Sequence, residues 1–178
     1  MFNNINAYQS TEDVVKPITS KTIARIAAVQ FYYATTISSD QSNDKFLDWL
    51  FSFHKKRHDY IMEDEELAND YPEQINKGFF QLLTNNITQY KTQIEDIIKK
   101  YLTSNKQWDH NNVVLISVIA CGLCELNYIE GTPIKVVVNE FTNIAANMLS
   151  DQEIAFVNYV LDDYAKIIKN SRSLVNAL

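Results

Sequence analysis

Val113-Val-Leu-Ile-Ser-Val-Ile-Ala-Cys-Gly-Leu-Cys-Glu-Leu-Asn-Tyr128 is apolar almost all round, interrupted by Ser117 and ended by Glu125 and Asn127. The stretch is too short to cross a bilayer, so it predicts a central helix buried by its neighbours. Just beyond it, Gly131-Thr132-Pro133 stops one helix and starts the next: Thr132 is a capping residue, and Pro133 suits a first helical position. Val136, Val137, Phe141, Ile144, Ala145 and Met148 then recur at helical spacing. The β-branched run Val136-Val137-Val138 favours a strand by propensity, but the N-terminal punctuation and the continuing period predict a helix. Ser150 or Asp151 caps a last helix whose stripe is Ile154, Val157, Leu161, Ala165 and Ile168.

Upstream, a polar patch from Thr103 to Asn112 reads as a loop, and the apolar positions from Phe79 to Tyr101 predict one or two further helices. Residues 59–73 form an acidic connection closed by Tyr71-Pro72. Phe46, Leu47, Leu50, Phe51 and Phe53 predict an aromatic amphipathic helix ending in the basic run His54-Lys55-Lys56-Arg57-His58, which complements the helix dipole. Ser38 to Asn43 is a polar break. Before it, Ile23, Ala27, Gln30 and Ala34 form one stripe of a first helix, and Ile26, Val29 and Tyr33 form its neighbour. Thr19 or Ser20 caps that helix, and Lys21 and Arg25, four apart, share a face near its start. Residues 1–20 are polar, without an apolar signal segment, and read as an extension.

The pattern is all-α, with about seven helices and no convincing sheet. Three glycines and three prolines among 178 residues agree, because a β-rich fold needs more turn residues. The hydrophobic fraction of 46% supplies a substantial core. The net charge of −6 argues against a nucleic-acid partner only until it is mapped. Asp59, Glu63, Asp64, Glu65, Glu66, Asp70 and Glu73 contribute −7, with no Lys or Arg among residues 59–73, so −6 minus −7 leaves +1 elsewhere.

Catalytic motifs are missing: there is no glycine-rich dinucleotide loop, no P-loop and no nucleophile elbow. Cys121 and Cys124 have the C-x-x-C spacing of redox and zinc sites. They fall inside an apolar helix with no second pair, which favours buried core cysteines. His54 and His58 could face one metal, but Lys55-Lys56-Arg57 between them repels a cation, so a solvated helix end is preferred. The acidic cluster lacks an apolar pocket to tune a carboxyl group. The expectation is a protein without catalytic activity, cofactor or metal. With two cysteines three positions apart and no spanning segment, the expected compartment is the cytoplasm.

Two segments carry a family resemblance. Ala24-Arg-Ile-Ala-Ala-Val-Gln-Phe-Tyr-Tyr33 resembles the opening A-R-x-x-A-[LV]-Q-x-L-Y helix of the NusB family. Glu125-Leu126, Pro133-Ile-Lys-Val-Val-Val-Asn-Glu140, Ala145 and Phe156-Val-Asn-Tyr-Val-Leu-Asp162 resemble its E-L, P-x-K-V-x-I-N-E, L-A and F-V-N-G-V-L-D. Order and spacing agree throughout the second set, whereas residues 38–112 show only the helical pattern.

The resemblance implies two helical subdomains side by side, about 21–102 and 111–170 within a domain spanning 21–178. It implies a transcription antitermination factor that binds boxA-type single-stranded RNA together with NusE, a ribosomal small-subunit protein. Such factors act in the RNA polymerase antitermination complex on ribosomal RNA operons, as a monomer or homodimer. By position, Lys21 and Arg25 would meet RNA at the helix start, and Asp151, Gln152 and Phe156 would complete that surface. Tyr33 would lie toward NusE. Phe156 and Tyr33 have competing readings as core packing, and Asn139 and Asn158 as hydrogen-bonding residues joining helices. Three departures stand out: Lys21-Thr22-Ile23 replaces the family's arginines, Ala120 stands where Arg is frequent, and Tyr159 replaces the glycine of F-V-N-G. Fewer phosphate contacts imply weaker RNA binding with a shallower salt slope. Two other readings remain: a protein-binding helical module with a decayed RNA surface, and the RNA-binding domain type found in rRNA cytosine methyltransferases.

Overall fold

The apolar stretch is a helix over the range expected, Val113–Tyr128, in the computed structural model, which describes residues 18–38, 52, 75–104 and 112–175. Six helices make up the described residues, with no strand among them: α1 (Ser20–Ile37), α2 (Lys77–Gln89), α3 (Lys91–Ser104), α4 (Val113–Tyr128), α5 (Ile134–Ala146) and α6 (Asp151–Val175). The side chains of α6 are described as far as residue 170. The polar extension up to residue 17, the basic run with His54 and His58, and the acidic connection 59–73 lie outside the described residues. So does the expected helix around residues 46–53, apart from Ser52, which is helical.

α4 is the hub and packs against each of the other five helices. Leu115, Val118, Ile119, Ala120, Leu123 and Leu126 are all buried around its circumference, as an unsegregated apolar pattern requires. One contiguous core draws on every helix. α1 contributes Ala24, Ala27 and Ala28, whose small side chains allow close approach, together with Phe31 and Tyr32. Phe31 meets Phe80 of α2 edge to face at 6.4 Å, a favoured aromatic geometry. Gly122 lets α4 approach α6 closely: a Cβ there would sit 2.7 Å from Leu161 Cδ2.

Helix ends follow local chemistry. The Thr19 hydroxyl accepts the Thr22 N–H at 3.1 Å and caps α1. Asn76 and Asn112 cap α2 and α4 in the same way. The segment from Phe79 to Tyr101 is two helices, separated at Tyr90. Gly131 takes a φ of +88°, a conformation that favours glycine. α5 begins at Ile134 with Pro133 in the cap position and without a side-chain cap, so Thr132 does not serve as expected. The valine run is helical throughout.

α6 opens on one half of a capping box: Ser150 donates its N–H at 2.9 Å and its hydroxyl at 2.7 Å to the Glu153 carboxylate. The Asn112 amide also donates to Glu153, which ties the start of α4 to the start of α6. These bonds, the Ser150 hydroxyl first, hold the Glu153 carboxyl below its ordinary range. A carboxyl whose folded pKa is depressed adds stability above its unfolded pKa, and loses it as the pH falls through the folded one. Glu153→Gln is therefore expected to unfold at lower urea than wild type at about pH 7, with the gap narrowing at a second, acidic pH. Parallel urea titrations at the two pH values check this; a gap that persists at low pH would show that charge is not the cause.

Candidate functional site

The arginine expected at the RNA surface is inside the protein. Arg25 is 2% exposed, and its guanidinium forks onto Glu125 of α4, with Nε donating to Oε2 at 2.8 Å and Nη2 to Oε1 at 2.7 Å. Its Nη1 donates at 3.1 Å to Glu140 Oε2 of α5, which also accepts the Thr22 hydroxyl at 2.7 Å. Glu125 is fully buried. The pairing is bidentate and charge-assisted, the strong form of such contacts, and it fastens α1 to α4 and α5. The Arg25 Nε, Nη1 and Nη2 each donate inside the protein. Glu125 and Glu140 stand in the E-L and N-E motifs, but nothing in their spacing identified them as partners of Arg25.

Lys21 is exposed. Its Nζ lies 5.2 Å from the centre of the Phe79 ring, and the Arg25 Cζ lies 5.1 Å from the same ring. The shared face inferred from their spacing is thus realised, with the two cations differing only in depth. The Asn76 N–H donates to the Ser20 carbonyl at 3.1 Å, so α1 and α2 begin side by side. Neither helix has an acidic residue in its first turn, and each has a lysine there, Lys21 and Lys77. Two dipole ends and two lysines favour an anion at this corner, against the Glu140 carboxylate that accepts the Thr22 hydroxyl in the same turn. Lys77 was missed by the sequence reading because only the tertiary contact between the helix starts brings it near Lys21.

Tyr33 lies at the other end of α1. It is 38% exposed, whereas its neighbour Tyr32 is buried and donates to Glu95 of α3 at 3.2 Å. Tyr33 lines a groove of about 410 Å³ with Val29, Ile37, Val114 and Met148, among others. Twelve residues of helix place it about 18 Å from Lys21 along the axis. α1 and α4 run antiparallel, since Arg25 meets Glu125 near the end of α4 while the groove reaches Val114 at its start.

Asp151 and Gln152 are exposed in the first turn of α6. The Asn112–Glu153 bond places them at the Tyr33 end of α4, away from Lys21. The expected RNA residues are therefore divided between two ends of the molecule. Phe156 is 5% exposed and belongs to the core. The exposed ring on this part of α6 is Tyr159, at 50%. It meets Tyr101 of α3 edge to face at 6.2 Å and lies 6.4 Å from Phe156 in a tilted arrangement. Asn158 accepts the Thr142 hydroxyl at 3.3 Å and so joins α6 to α5, whereas Asn139 is exposed.

Cys121 and Cys124 are both free and buried. Burial pushes the Cys124 thiol up to about 12 and raises Cys121 well above its ordinary value, so neither offers a thiolate near neutral pH. Among the described residues no group of His, Cys, Asp and Glu could hold a metal ion, and no helix is long and apolar enough to cross a membrane.

The NusB family model matches residues 22–166. A transcription antitermination protein NusB from Rickettsia massiliae is 33% identical over 149 residues, spanning 84% of this chain and 93% of the relative. Those of Rickettsia conorii and Rickettsia bellii are also 33% identical, over 153 and 148 residues, covering 84% and 83% of this chain and 93% and 91% of theirs. The match runs from the first turn of α1 to the middle of α6 and takes in both signature segments, so the chain is a member of the NusB family.

Proposed function

We propose that this protein is a non-catalytic transcription antitermination factor of the cytoplasm. In this reading it binds boxA-type single-stranded RNA together with NusE, within the RNA polymerase complex that transcribes ribosomal RNA. The observation that carries the proposal is the family match over residues 22–166, with relatives named transcription antitermination proteins. The geometry supports particular roles. Lys21, beside the paired starts of α1 and α2, offers phosphate contacts. Asp151 and Gln152 offer polar contacts at the other end, whereas Phe156 lies in the core behind Tyr159. Arg25 serves RNA binding indirectly, by fixing α1. The apolar groove at Tyr33 is the face for NusE.

Lys21→Ala is expected to weaken RNA binding and to make the plot of log affinity against log salt shallower by about 0.7, the increment for one phosphate contact on a single strand. NusE binding is expected to stay unchanged. Fluorescence anisotropy of a labelled boxA-type oligonucleotide across a salt series measures both affinity and slope; if neither changes, the phosphate contacts lie elsewhere.

The burial of Arg25 and Phe156 favours a second reading, a protein-binding module with a reduced RNA surface. On that reading NusE binds at the groove while RNA is not retained at low salt, with or without NusE.

A further inference from the structure

We propose that Tyr159 is a base-stacking residue, whose exposed ring receives one unpaired nucleobase of the bound RNA. The inference rests on the RNA-binding reading above and assigns a contact that the family motif does not supply, since a glycine stands there in F-V-N-G. On this part of α6 the expected aromatic, Phe156, is sealed into the core, while Tyr159, three residues on, is half exposed. Its ring is not a loose surface side chain. The edge-to-face contact with Tyr101 at 6.2 Å holds it from α3, and Phe156 backs it at 6.4 Å. Tyr101 is in turn anchored by donating its hydroxyl to Asp163 at 2.8 Å.

A ring already fixed in place loses little rotamer freedom when a base stacks on it, which suits a stacking platform. The nearby carboxylates are engaged: Asp163 by Tyr101, and Asp162 by Lys166 at 2.9 Å. A stacked base also suits a chain whose opening helix carries fewer cations than its family's, because stacking adds affinity without a phosphate contact.

The test titrates labelled boxA-type single-stranded RNA into the full chain with NusE present, for wild type, Tyr159→Ala and Tyr159→Phe. Stacking predicts a loss of about 5- to 150-fold for Tyr159→Ala and near-wild-type affinity for Tyr159→Phe, which keeps the ring. The salt slope should be the same for all three, because no phosphate contact is removed. An abasic nucleotide at the stacked position should abolish the difference between wild type and Tyr159→Ala. Wild-type affinity in Tyr159→Ala would overturn this inference alone. So would a loss confined to NusE binding, which would make Tyr159 a protein contact. Failure of the wild-type protein to bind RNA would overturn this inference together with the RNA reading on which it rests.

Discussion

Arg25→Met is expected to lower the unfolding free energy by about 3–5 kcal/mol, the usual cost of removing one partner from a buried ion pair. The physical cause is what remains. Glu125 has no exposed surface, and without the guanidinium its carboxylate keeps its desolvation cost and loses both charge-assisted bonds. Glu140 is affected less, because its side chain is 24% exposed and keeps the Thr22 hydroxyl. Against a domain stability of roughly 5–15 kcal/mol, the loss is large enough to appear as a much lower urea midpoint. Adding Glu125→Leu to Arg25→Met is expected to restore most of it, because the two apolar side chains then leave no stranded charge. Arg25→Lys keeps a cation but not the fork, and should fall between. A destabilisation below about 1 kcal/mol for Arg25→Met would mean that the pair contributes little in solution.

Leu161→Ala is expected to cost about 2–5 kcal/mol, since this side chain is fully buried where α6 crosses α4. Gly122→Ala pushes a methyl to within 2.9 Å of both Leu161 Cδ atoms, which costs about 1–3 kcal/mol of overpacking, offset by about 1 kcal/mol of helix propensity. The double variant is the informative one. The methyl added at position 122 would occupy part of the cavity left by Leu161, so the two losses should sum to more than the double variant loses. A coupling of about 0.5–3 kcal/mol is expected from a double-mutant cycle in urea. Strict additivity would mean that α4 and α6 do not meet at Gly122 and Leu161 as described.

Helix content was legible because it rests on local signals. Val113–Tyr128 has no polar face to compete with burial, and the valines of α5 follow a glycine–proline stop that outweighs strand propensity. The cap at Thr19 was likewise readable from residue type, and α6 starts beside Ser150 as expected. Orientation was not. Helical spacing put Lys21 and Arg25 on one face, and both do approach the Phe79 ring. Whether that face meets solvent depends on where α4 and α5 close over it, which the spacing within α1 does not contain. The same gap explains Phe156 and Tyr159. Three residues apart on α6, they lie on one side of the helix, but the packing of neighbouring helices seals the first and leaves the second half exposed. Tyr33 carried two readings in the sequence, and its 38% exposure beside a groove selects the surface one.

We propose joint binding of single-stranded RNA by this NusB-family chain and NusE. Its most direct test is the affinity of labelled boxA-type RNA for the purified wild-type protein, measured with and without a saturating amount of NusE at several salt concentrations. The expected result is weak binding by the protein alone, tighter binding with NusE, and affinity that falls as salt rises. RNA binding that is absent even at low salt with NusE present would contradict it.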